Sequence, residues 1–147
     1  MIFELTQEFY FEAAHTLERS IETESSRRIH GHTYHVQVTI RGTPDSRTGM
    51  VVDLGHFKQM LADLRDRLDH RFLDDEPEIS PVTLENLCSF VWRQLAAKLP
   101  NLAKVTVERR ASGERCTLRQ ATLYRKTTRA YRAGRQRSSR VSDRRTS

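Results

Sequence analysis

Cysteine is scarce in this chain. Only Cys88 and Cys116 occur in 147 residues, in no CxxC pair, so a disulfide framework is excluded. No apolar run approaches the roughly 18 residues that a membrane span needs. The N-terminus, MIFELTQEFYFEAAH, has no basic region ahead of an apolar block, so it reads as a strand and not a signal peptide. No internal repeat recurs at a solenoid period. What remains is a soluble composition, 37% hydrophobic and 30% charged, long enough for one domain with its own core. A cytoplasmic location is the expectation.

The net charge of +6 is unevenly spread. Nine Lys/Arg and one acid, Asp143, fall from Arg125 onward, while residues 1–124 hold 16 basic and 18 acidic side chains. Two parts are therefore expected: a mildly acidic domain over 1–125 and a basic tail over 126–147. The tail is rich in Arg, Ser and Thr and has no apolar periodicity, so disorder is expected there. Its charge could make salt-dependent phosphate contacts with nucleic acid. With Tyr131 as its single aromatic, a solvated extension is the favoured reading.

Residues 2–15 alternate, with Phe3, Leu5, Phe9, Phe11 and Ala13 on one face and Glu4, Thr6, Glu8 and Glu12 on the other. That is the period of a half-buried antiparallel strand. A polar loop over about 17–28 follows, then a second strand from His30 to Arg41 with Tyr34, Val36, Val38 and Ile40 on one side. Asp53 opens a helix with the stripe Leu54, Phe57, Leu61, Leu64 and Leu68. Thr83 caps a second helix, Glu85 in its first turn favouring the helix dipole. Lys104–Arg109 and Cys116–Arg125 supply two last strands. The order ββααββ predicts an α+β domain, a four-stranded antiparallel sheet with two helices on one face.

His15 shares the parity of Phe9, Phe11 and Ala13, and His30 and His32 share that of Tyr34 and Val36. Residues i and i+2 of a strand project side by side, so three imidazoles can meet at one end of the apolar face. Gly31 between two of them is expected to let the backbone pass closely. Three protein ligands with one open position describe a catalytic zinc site. The alternative, ordinary histidines at strand ends, stays open on parity alone, because no spacing rule fixes how far apart the strands lie. His35 and His56 are expected to face solvent.

The segments FEAAHTL (11–17), HGHTYHV (30–36), TGMVVDLGHFK (48–58), LDHRFLDD (68–75) and the Thr83-Leu84-Glu85 helix start run in order across residues 1–124. Together they resemble the 6-pyruvoyltetrahydropterin and 6-carboxytetrahydropterin synthase family. The resemblance implies the tunnelling fold, a homo-oligomer (trimer or hexamer) and Zn2+ on His15, His30 and His32. It implies a catalytic pair at Asp69-His70 and pterin-pocket roles for Thr83 and Glu85. The implied reaction removes triphosphate from 7,8-dihydroneopterin triphosphate and rearranges or cleaves the side chain. The 6-carboxytetrahydropterin type, serving queuosine (7-deazaguanine) biosynthesis, is the leading expectation. A sibling with a different side-chain reaction, or a binding homologue without the synthase step, is the alternative. Without the resemblance, Asp69-His70 would read equally well as a plain helix end.

Two positions depart from the family. Ser26 stands where a cysteine is usual, and a hydroxyl is a far weaker base than a thiol. Cys88 reads as core and cannot replace it, whereas Glu22 or Glu24 could if the loop folds inward. The family's ring-anchoring glutamate falls on Arg109. Glu108, one residue early, faces the other way in a regular strand, so it can anchor the ring only if a β-bulge turns it inward.

Overall fold

A computed structural model of the chain describes residues 1–121. The basic tail, 126–147, and the end of the expected last strand lie outside the described residues. Strands β1 (Phe3–His15) and β2 (His30–Gly42) flank a short helix α1 (Thr23–Arg27). Helix α2 (Leu54–Leu68), a two-residue strand β3 (Arg71–Phe72) and helix α3 (Leu84–Ala96) follow, then β4 (Leu102–Arg109) and β5 (Glu114–Arg119).

The sheet has five strands in the order β3-β1-β2-β4-β5, one more than expected. The extra strand joins parallel to β1 through Ala13↔Arg71 and Ala14↔Phe72. Two residues carry no periodicity, so their pairing leaves no pattern in the sequence. The same holds for α1, which occupies part of the expected loop. β1 and β2 pair antiparallel without interruption from Phe3↔Gly42 to His15↔His30.

One sheet face packs the core. Phe11, Tyr34, Val36, Val38, Ile40, Val105 and Val107 meet Phe57, Leu61, Leu64 and Leu68 of α2 and Leu87, Phe90, Val91 and Leu95 of α3. α2 lies over β1, and α3 over β4 and β5. Leu54, expected in the α2 stripe, is exposed, and Met60 is buried instead. The opposite face is polar and interlinked, with Thr6–Thr39 hydroxyls at 2.8 Å and Gln37 donating to Glu8 at 2.9 Å. His35 belongs to that network and is not solvent-exposed as expected: its side chain is 19% exposed and its Nδ1 lies 3.7 Å from Glu8.

Local signals start the helices where the sequence places them. Asp53 caps α2 by accepting from Gly55 N at 2.7 Å and His56 N at 3.2 Å. Thr83 caps α3 by accepting from Asn86 N at 3.1 Å. Gly113, at φ 75°, closes the turn between β4 and β5 in the left-handed region where a side chain is strained. Among the described residues, no helix is long and apolar enough to cross a membrane.

Replacing Asp53 with Ala leaves two amide donors uncapped and should cost about 1 kcal/mol. Urea denaturation should show a lower midpoint with an unchanged slope; an unchanged midpoint would mean the cap contributes nothing.

Candidate metal centre

The β1–β2 register sets His15 opposite His30 and Ala13 opposite His32. Their rings gather at one end of the core face, with centroids 4.5 Å (His15–His30), 5.1 Å (His15–His32) and 4.9 Å (His30–His32) apart. One nitrogen from each lies within 4.8 Å of the other two. A Cβ at Gly31 would meet Ala13 O at 3.7 Å, an ordinary contact, so the close passage expected of that glycine is not needed.

Burial disfavours a charge on two of these imidazoles, His15 and His32. His15 is 1% exposed, and neither of its ring nitrogens has a hydrogen-bond partner. Burial, with His30, His32 and Arg109 nearby, lowers its pKa to about 4. Burial and then Arg109 lower that of His32 to about 4 as well. His30 Nδ1 donates to Arg28 O at 2.8 Å, which fixes the tautomer and frees Nε2, the usual outer support of a metal-binding histidine. Asp74 holds the end of β1 by accepting from Thr16 N at 3.0 Å and from the Thr16 hydroxyl. Tyr34 stands edge-on beneath His15 and His32, its phenol pushed up to about 12 by burial.

Three converging imidazole donors, with both nitrogens of the buried His15 unpartnered, fit a borderline divalent ion such as zinc. One cation sits close: Arg109 Nη1 donates to His32 Nε2 at 3.1 Å. Glu114 offsets its charge, with Oε2 2.8 Å from Arg109 Nε.

Asp69 and His70 form a pair beside this centre. Asp69 Oδ2 lies 3.0 Å from His70 Nδ1, Oδ1 accepts from Glu12 N at 2.9 Å, and Arg65 approaches at 3.1 Å. The Glu12 amide, His70 and Arg65 hold the Asp69 carboxyl below its ordinary value. His70 takes a left-handed φ of 56°, and its side chain is 75% exposed. His70 and His32 line one cleft of about 560 Å3, with Glu12, Thr33 and Phe72.

A second, smaller pocket of about 220 Å3 brings Thr83 and Glu85 together with Arg19, Tyr34, Arg109 and Glu114. Glu108 is absent from it. The bulge that would turn it inward is missing, because the only register shift between β2 and β4 falls at Thr39/Ile40. Glu108 instead pairs with His35 across the strands and binds Arg110 and Arg115, both at 2.8 Å, on the opposite face. The Ser26 hydroxyl is buried and donates to Glu22 O at 2.9 Å within its own turn. Glu22 and Glu24 are exposed. Burial pushes the Cys88 thiol up to about 12, in keeping with a core role. The sequence reading overlooked Glu114 and Asp74. Glu114 closes a four-residue turn opposite Arg109, which strand pairing could have revealed. Asp74 lies in a short 3-10 turn and gave no such signal.

A sheet whose strand ends gather three imidazoles, one of them sharing a cleft with His70, defines an α+β protein with a candidate metal centre. The family model described as 6-pyruvoyl tetrahydropterin synthase matches residues 4–121. The 6-pyruvoyl tetrahydrobiopterin synthase of Drosophila melanogaster is 39% identical over 74 residues, covering 48% of this chain and 44% of the relative. A putative one from Caenorhabditis elegans is 33% identical over 114 residues, covering 67% and 81%. The solved C. elegans 6-pyruvoyl tetrahydropterin synthase superposes with a TM-score of 0.70 at 27% identity, over 82% of this chain and 97% of that one. Against the fly, guppy and human relatives, the match spans only about half of their length. The chain belongs to the 6-pyruvoyl tetrahydropterin synthase family.

His15 and His32 set a pH dependence for metal-free protein. An unfolded imidazole titrates near 6.5 and the folded ones near 4, so between those values the unfolded chain binds more protons. Stability should therefore fall as pH drops from about 6.5 to about 4. His15→Asn and His32→Asn should each flatten that slope in urea titrations. A wild-type slope equal to theirs would contradict the shifts.

Proposed function

We propose that this chain is a zinc-dependent 6-carboxytetrahydropterin synthase-type lyase acting on 7,8-dihydroneopterin triphosphate, within queuosine biosynthesis, as a homo-oligomer. The observation that carries the reading is the convergence of His15, His30 and His32, with His15 buried and both its nitrogens unpartnered. These three would hold the zinc, which when bound supplies a Lewis acid at the substrate's side-chain oxygens and eases loss of neighbouring carbon-bound protons.

The chain's own groups supply the rest. Asp69 accepts from His70 Nδ1, which leaves Nε2 as the atom that takes and returns a proton. The Glu12 amide and Arg65 keep Asp69 ionised and fixed, so the imidazole is aimed by the edge of β1. His70's exposure leaves it open to substrate or to a second copy of the chain. Thr83, the N-cap of α3, and Glu85 in its first turn both line the pocket proposed for the ring.

Ser26 favours a second reading. Its hydroxyl is spent within its own turn and is a poor base, which suits a zinc- and pterin-binding homologue or a sibling with a different side-chain reaction.

Purified protein given 7,8-dihydroneopterin triphosphate should release triphosphate and acetaldehyde. Chelation should stop turnover and zinc restore it. His70→Ala should lower kcat by about 10^2–10^4-fold with zinc content unchanged. A different pterin product would favour the sibling, and retained binding without turnover would favour the homologue. Wild-type protein that holds no zinc after chelator-free purification would overturn the proposal.

A further inference from the structure

The pocket of about 220 Å3 beside the histidines contains a carboxylate and a guanidinium held side by side, Glu114 and Arg109. Their placement follows from strand pairing, Arg109 at the end of β4 facing Glu114 at the start of β5. Arg109 is 8% exposed and lines the pocket, yet its Nε–H is not aimed at the adjacent carboxylate and has no hydrogen-bond partner. A buried donor left unmade is costly, and a ligand acceptor would satisfy it. Glu114 Oε2 receives the Ser112 hydroxyl and lies against Arg109, while no described residue donates to Oε1. The Ser112 hydroxyl, with Arg109 and Arg19, also holds this carboxyl below its ordinary value, so it is ionised at neutral pH.

We propose that Glu114 is the carboxylate that reads the amino and N–H edge of a bound pterin ring, with Arg109 positioning it and facing the adjoining ring carbonyl. This rests on the pterin reading above. A pterin edge presents two donors beside one acceptor, which is the complement of a carboxylate next to a guanidinium. The volume lies below the roughly 300–1,000 Å3 of pockets for drug-sized ligands, as a single small ring system requires. Arg109 touches both Glu114 and His32, so a ring seated on this pair lies against the metal centre with its side chain free to reach it. Glu108, the neighbouring carboxylate, is committed to Arg110 and Arg115 on the opposite face.

Zinc-loaded full-length protein would be titrated with 7,8-dihydroneopterin, which lacks the triphosphate, and separately with inorganic triphosphate. Glu114→Gln should weaken dihydroneopterin binding about tenfold or more, as loss of a charge-assisted contact does, with zinc content and Tm retained. Glu108→Gln should stay within about twofold. If Glu114→Gln does not hold zinc, Glu114→Asp, which keeps the charge, replaces it, and a loss of at least threefold is expected. Unchanged ring affinity in the Glu114 variant, or the loss appearing in Glu108→Gln instead, overturns the assignment. So does a Glu114 variant that gains triphosphate affinity without losing the ring, which would make this an anion subsite of Arg109. Wild-type protein that ignores dihydroneopterin overturns the pterin reading itself, a result obtained before any variant is made.

Discussion

Everything at the candidate centre depends on the register of β1 against β2. Thirteen consecutive antiparallel pairs carry alternation from the N-terminus to the strand ends without a slip. Side-chain direction has a period of two, so displacement by one residue would turn His15 away from the core face and leave His30 and His32 without it. The hydrophobic partners on the same face, Phe11, Tyr34 and Val36, resist such a slip because it would expose them together. The force that aligns the histidines is thus the burial of their apolar neighbours, not any attraction among the imidazoles, whose proximity disfavours a charge on His15 and His32.

The two faces of the sheet divide the chemistry between them. The core face buries His15 among apolar side chains, with the Arg109–Glu114 pair as its charged edge, which suits metal ligation. The opposite face joins Glu8, Gln37, His35, Glu108, Arg110 and Arg115 through charged contacts that solvent screens. Arg109 and Glu108 are neighbours in sequence and belong to different faces. Side-chain identity at these two positions is therefore not interchangeable: exchanging them would place an acid among the imidazoles and a third arginine beside Arg110 and Arg115.

Strand parity placed the three histidines on one shared face, because that argument needs only alternation, but it left open how far apart the two strands lie. Helix starts were equally readable, since Asp53 and Thr83 act on amides two and three residues away. What parity cannot express is pairing between short or distant segments. β3 joins β1 through two residues, and Asp74 reaches Thr16 across 58 positions, so neither is written in any local pattern. Glu108 shows the limit of motif matching. An acid one position from its expected place looked recoverable by a bulge, but the β4 ladder there is regular and the side chain faces away. His35 was misjudged for a related reason: a polar face is not an exposed one when its side chains bind each other.

The strands flanking residues 16–29 are locked to each other, whereas that connection is fastened mainly by Thr16 to Asp74 and by Leu17 N to Ser26 O at 2.8 Å. Closing a loop grows only slowly more costly with its length. A lineage can therefore lengthen, shorten or resequence this segment, the residue at position 26 included, while the imidazoles opposite stay where the sheet puts them. The histidine cluster and the composition of this connection are in that sense separately heritable: the sheet preserves the first rigidly and leaves the second to drift on a tethered loop.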